Sequence, residues 1–113
     1  MTTPDELERQ FTLSTATARF EHLRTRDALA PPADEEPDPQ AASLTRDEAL
    51  ELIALAEVIA RKAGYGRQLA VRTARAAGAS WAQVGAALGT SKQSAWEAHA
   101  RWLAEQERAT PAG

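Results

Sequence analysis

Only 5 of the 113 residues are valine or isoleucine, against 26 alanines. Sheet faces are built from β-branched and aromatic side chains, whereas alanine is the least costly residue in a helix, so the chain is confined to an all-α fold. At this length one compact domain is expected, burying about two-thirds of the surface that the unfolded chain exposes. A sizeable active-site cavity is hard to fit. With no cysteine there is no disulfide framework, no thiolate zinc site and no thiol nucleophile. No stretch approaches the roughly 18 to 20 apolar residues of a membrane helix, and the acidic start through Asp5 and Glu6 lacks the positive region of a secretory signal.

The net charge of −3 hides two halves of opposite sign. Residues 1–60 hold 13 acids and 5 arginines; residues 61–113 hold 8 lysines or arginines and 3 acids. Between Glu57 and Glu97 there is no acid, while Arg61, Lys62, Arg67, Arg72, Arg75 and Lys92 are cationic. Such an asymmetry points to a polyanion as the partner of the second half, or to an ordinary solvated helix surface.

Helix starts are marked by a Ser or Thr followed three residues later by Glu or Gln, the pattern in which two first-turn N–H groups are satisfied reciprocally. It occurs at Thr3/Glu6, Thr45/Glu48, Ser80/Gln83 and Thr90/Gln93. The first helix is predicted from Pro4 to Leu29, ending at Pro31-Pro32. Leu7, Phe11, Ala18 and Leu29 fall on one side of it, with Leu13, Ala16, Phe20 and Leu23 nearly opposite. Either a bend in Ser14–Thr17 brings both stripes to one core, or the helix lies between its own domain and a second subunit. The second arrangement is preferred, making residues 1–29 a dimerisation arm that uses Leu7, Phe11, Phe20 and Leu23. Residues 30–42, with four prolines, four acids and no large apolar side chain, are expected to be an extended linker.

The remaining helical pattern, 43–108, reads as a bundle of about four helices, followed by a disordered tail at 109–113. A helix from Thr45 to Ala63 carries a wide apolar face of Leu52, Leu55, Ala56, Ile59 and Ala63, broadened by Leu50, Ile53 and Ala54, with Gly64 as its stop. A helix from Arg67 to Ala77 turns Leu69, Ala70, Ala74 and Ala77 inwards and Arg67, Gln68, Arg72 and Arg75 outwards. In the next two helices Trp81, Val84, Gly85 and Leu88 share a face, and Ala95, Ala98 and Trp102 point inwards. Gly85 permits a close crossing and Gly89 a left-handed turn.

The run Gly78, Ser80, Trp81, Val84, Gly85, Leu88, Gly89, Ser91, Gln93 and Ala95 resembles the helix-turn-helix of small actinobacterial DNA-binding proteins and of sigma-factor region 4. The resemblance covers about 25 residues, or about 50 with the two preceding helices. It implies a transcriptional regulator that puts helix 91–102 in the major groove of double-stranded DNA. Lys92, Gln93, Trp96 and Glu97 would then meet base edges, and Ser91, Arg67, Arg72, Arg75 and Arg101 phosphates. Gln93 could instead serve the Thr90 capping box, and Trp96, beside Leu103 on the wheel, could be core. A homodimer in the cytoplasm, associated with the nucleoid, is the expected form, without cofactor or metal. Docking to RNA polymerase or a partner regulator, or low-specificity DNA binding, are the rival expectations. No enzyme is expected: His22 and His99 have no triad or metal set around them, His99 falls on the inward side, and Gly64-Tyr65-Gly66 is too short for a phosphate loop.

Overall fold

The computed structural model describes residues 2–30 and 43–109. Among them are five helices and no strand: α1 (Pro4–Gln10), α2 (Leu13–Leu29), α3 (Arg46–Ala76), α4 (Trp81–Leu88) and α5 (Lys92–Ala109). They divide into two compact units, 1–63 and 64–113, so the boundary falls within α3 rather than ahead of Thr45. Most of the expected linker, 31–42, and all but Ala109 of the expected tail lie outside the described residues. No helix among the described residues is long and apolar enough to cross a membrane.

In the first unit the single leading helix is replaced by two. The break falls at Phe11–Thr12, ahead of the Ser14–Thr17 run, because Thr12 caps α2. Its hydroxyl accepts the Thr15 N–H at 3.1 Å, and the Thr15 hydroxyl accepts the Thr12 N–H at 2.9 Å. This box has a hydroxyl where a search expects Glu or Gln. Leu7, Ala16 and Leu23 form one core with Ala54, Leu55 and Val58 of α3, and Phe11 and Phe20 pack on its margin. Leu7, Phe11, Phe20 and Leu23, expected at a dimer contact, are therefore occupied inside their own chain. The break brings Leu7 and Phe11 to the same core as Ala16, Phe20 and Leu23 without a second subunit, while Leu13, Ala18 and Leu29 of the two stripes are left exposed.

Four arginines of this unit, Arg19, Arg24, Arg26 and Arg61, are used internally. Arg19 donates to both oxygens of Glu51, at 3.1 and 3.0 Å, and Arg26 donates to Glu48. Arg26, together with the Thr45 cap, pulls the Glu48 carboxyl down to about 2. Arg61 donates to Asp5 and Glu57 at 2.9 and 3.1 Å and to Glu8 at 3.4 Å, so this first cation of the acid-free run is spent on acids of the first unit. The broad stripe predicted on α3 is only partly buried. Ala54 and Leu55 are buried, with Val58 that the stripe did not include, but Leu50, Ile53, Ala56 and Ala63 are exposed.

In the second unit the predicted stop at Gly64 does not occur, and α3 continues to Ala76. Two interior glycines weaken a helix by about 0.5–1 kcal/mol each, less than packing on both sides returns. The buried stripe is also displaced: Gln68 and Val71 are buried, while Ala70 and Ala77, expected inwards, are exposed. Val71, Val84 and Ala95 form the core, bordered by Ala74, Ala79, Trp81 and Leu88.

Two joints of the same design follow. At the first, Gly78 takes φ 97°, its N–H donates to the Arg75 carbonyl and the Ala79 N–H to that of Ala74, both at 3.0 Å; Ser80 then caps α4. At the second, Gly89 takes φ 73°, its N–H donates to Ala86 at 3.2 Å and the Thr90 N–H to Gly85 at 2.8 Å. Both are the paired closing bonds of a glycine-terminated helix. Thr90 is thereby spent on closing α4 and cannot open α5. The predicted Thr90/Gln93 box is absent; Ser91 caps α5, its Oγ accepting the Ser94 N–H at 3.1 Å.

Candidate nucleic-acid interface

The pair α4–α5 is joined by only three residues, and Gly85 makes that possible. A Cβ placed there would lie 2.9 Å from the Thr90 carbonyl oxygen and the Ser91 carbonyl carbon, and 3.0 Å from the Lys92 nitrogen. These are backbone atoms at the start of α5, so the two helices meet with nothing between them at this point.

Outside its buried stripe of Ala95, His99 and Trp102, α5 exposes Lys92, Gln93, Trp96, Glu97 and Arg101. At about 100° per residue they occupy roughly half the helix circumference in the order Lys92, Trp96, Gln93, Glu97, Arg101, with a cation at each edge. Trp96 is 49% exposed, and so outside the core. The Gln93 side-chain N–H donates to Glu97 at 2.9 Å, an i,i+4 pair that orients the amide and partly occupies the acid. Its carbonyl oxygen and second N–H stay available. The Ser91 hydroxyl is directed to Ser94 Oγ at 3.0 Å rather than outwards. Any anion at this end would instead meet the first-turn N–H groups of Lys92 and Gln93, which have no partner within the helix.

An aromatic cluster holds α5 on the second unit. His99 and Trp102 stack at 5.5 Å between ring centres, Trp81 lies 5.6 Å from His99, and Tyr65 meets Trp102 edge-on at 5.7 Å. His99 Nδ1 is 2.8 Å from Gln68 Oε1, and since an amide oxygen only accepts, Nδ1 carries the proton. Burial, with a smaller contribution from the Arg72 charge, holds His99 below the ordinary histidine value. The unfolded chain then takes up a proton near pH 6.5 that the folded chain refuses until lower pH, so this group's contribution to stability falls as the pH drops through that range. Urea midpoints at pH 7.5 and 5.5 should show a loss on acidification that is smaller in His99→Gln; equal losses would remove His99 as the cause.

The three arginines do not share one open face. Gln68 and Val71, both buried, lie between Arg67 and Arg72 on the α3 wheel. Arg75 donates to the Ala79 carbonyl at 2.7 Å and lies over the Trp81 ring at 4.8 Å, so it serves the first joint rather than a phosphate. Arg67 and Arg72 remain exposed. Gln68 is the functional neighbour that sequence reasoning placed outside, because glutamine carries no hydropathy signal for a buried site. The Gln93–Glu97 pair, in contrast, is visible in its spacing. Among the described residues no group of three or more His, Asp or Glu is placed to hold a metal ion. Comparison with protein-family models, with curated proteins and with solved structures gives no match to this chain.

Proposed function

We propose that the chain binds double-stranded DNA, with α4–α5 acting as a helix-turn-helix and the first three turns of α5 entering the major groove. The observation that carries this is the exposed arc on α5, where Lys92 and Arg101 flank Trp96, Gln93 and Glu97 just beyond a three-residue glycine turn. A helix lying in a groove has phosphates along both walls and bases ahead of it. An arc with cations at its edges and a hydrogen-bonding amide at its centre matches that layout. Gln93, steadied by Glu97, retains the donor and acceptor that adenine pairs with in the major groove, and the exposed indole of Trp96 fits a thymine methyl. Arg67 and Arg72 add phosphate contacts. A regulator of transcription is the biological role such a reader would serve.

Binding to duplex DNA, followed by fluorescence anisotropy across a salt series, tests the reading. Each phosphate contact contributes about 0.9 to the slope of log affinity against log salt, so Lys92→Ala with Arg101→Ala should lower the slope by about 2. Gln93→Ala should leave the slope unchanged and flatten the preference among sequences obtained by site selection. Wild-type affinity in the double variant, or no binding at low salt, would overturn the assignment.

A further inference from the structure

We propose that the groove along the N-terminal half of α3 docks a cationic amphipathic helix of a partner protein. The groove measures about 740 Å³ and lies wholly in the first unit. Leu50 and Ile53 form its apolar surface, 49% and 69% exposed, with Pro4 beside them. Every charged residue that lines it is an acid: Glu6, Asp47 and Glu57. So large an exposure of a leucine and an isoleucine four and one positions from the sealed Ala54 is a second apolar stripe on a helix whose first stripe is already satisfied.

Chemistry selects the occupant. A second copy presenting the same face would set these acids against their own counterparts, and an anionic lipid surface would be repelled in the same way. A small ligand needs enclosure that two half-exposed side chains do not supply. A helix with apolar residues at i, i+3 and i+7 and Lys or Arg on its flanks meets both demands, apolar to apolar and cation to acid. From Leu50 to Glu57 the groove spans about 10 Å along α3, or two turns of a partner helix. None of the unit's cations lines the groove, and Arg19, Arg24 and Arg26 are paired with Glu51, Asp27 and Glu48. Arg61 engages one oxygen of Glu57 and leaves the other. This surface shares no residue with the α5 arc, and its test does not depend on DNA binding.

The probe is a short synthetic helix-forming peptide with Leu along one face and Lys on both flanks, titrated into the full chain labelled with ¹⁵N. A second peptide carries Glu in place of every Lys. Expected are amide shifts concentrated at 47–57 and around Pro4, weakened by salt, and no binding of the Glu peptide. Ile53→Glu distinguishes a docking groove from simple charge attraction, because it removes apolar contact while adding an acid. In the groove it should weaken binding about tenfold. Tighter or unchanged binding by Ile53→Glu, equal binding of the Glu peptide, or shifts lying elsewhere would overturn the proposal. So would a dimer in sedimentation that Ile53→Glu dissociates, which would make a second copy the occupant. Ile53 is exposed enough for the variant to fold, and Asp47→Asn, expected to reduce the salt dependence, gives an independent reading.

Discussion

Gly85→Ala should destabilise the second unit by about 2–3 kcal/mol, although alanine is the better helix former by up to about 1 kcal/mol. The added methyl would sit 2.9 Å from both the Thr90 oxygen and the Ser91 carbon, and neither atom can rotate away. Relief requires the start of α5 to move outwards, which strains the 2.8 Å bond from Thr90 to Gly85 and disturbs the packing of Ala95 against Val84. If the proposed reading of DNA is right, the same shift misplaces Lys92 and Gln93 and should weaken binding by more than tenfold. Urea denaturation followed by circular dichroism measures the first effect and anisotropy the second. Gly64→Ala is the control, because a Cβ there meets nothing within 4 Å and the helix around it should gain stability. A Gly85→Ala protein with the wild-type midpoint would show that α4 and α5 do not approach as described.

Leu55→Ala is expected to have the largest effect in the first unit, about 2–5 kcal/mol. Leu55 is fully buried against Leu23 and Val58, where its lost methyl groups leave a cavity that helices on both sides cannot easily close. Measured against a total stability of about 5–15 kcal/mol, that loss is large enough to expose the unit to frequent opening. Leu50→Ala on the same helix should change stability by less than about 1 kcal/mol, since half of that side chain is already in water. Hydrogen exchange of the α2 and α3 amides, compared between the two variants, checks the contrast. Equal losses would mean that the groove side of α3 is packed after all.

These two leucines also mark where sequence periodicity stops being informative. Hydropathy identified α3 as a wide-faced helix but could not say that only the Leu55–Val58 side meets α1 and α2, because which stripe is covered depends on partners elsewhere in the chain. The all-α class was legible because it follows from residue type alone. Three of the four capping boxes were legible because they are local; the fourth failed through competition, since closing α4 claimed Thr90 first. The break at Thr12 was missed because a threonine served where an acid is usual. Gly64 resembled a stop, whereas the helix actually ends at Gly78, where the left-handed backbone closes two hydrogen bonds. At the candidate interface Lys92, Gln93 and Glu97 followed from the motif, but the wheel set Trp96 beside Leu103 as a core candidate, and both are exposed because nothing among the described residues covers that side of α5. Arg75 did not, because its partners, the Ala79 carbonyl and the Trp81 ring, lie beyond its own helix.

The two identical joints turn α4 into a counting device. With Gly78 closing α3 ahead of it, Ser80 capping its start and Gly89 closing its end, the eight residues of α4 set the angle at which the chain leaves for α5. Each residue is worth about 100° of rotation and 1.5 Å of advance. One alanine inserted between Val84 and Gly85 would keep Gly85 against the start of α5 and preserve both joints, yet swing the onward chain through more than a quarter turn. Substitutions along α4 therefore alter how firmly α5 is held, whereas a change in its length alters which way α5 faces.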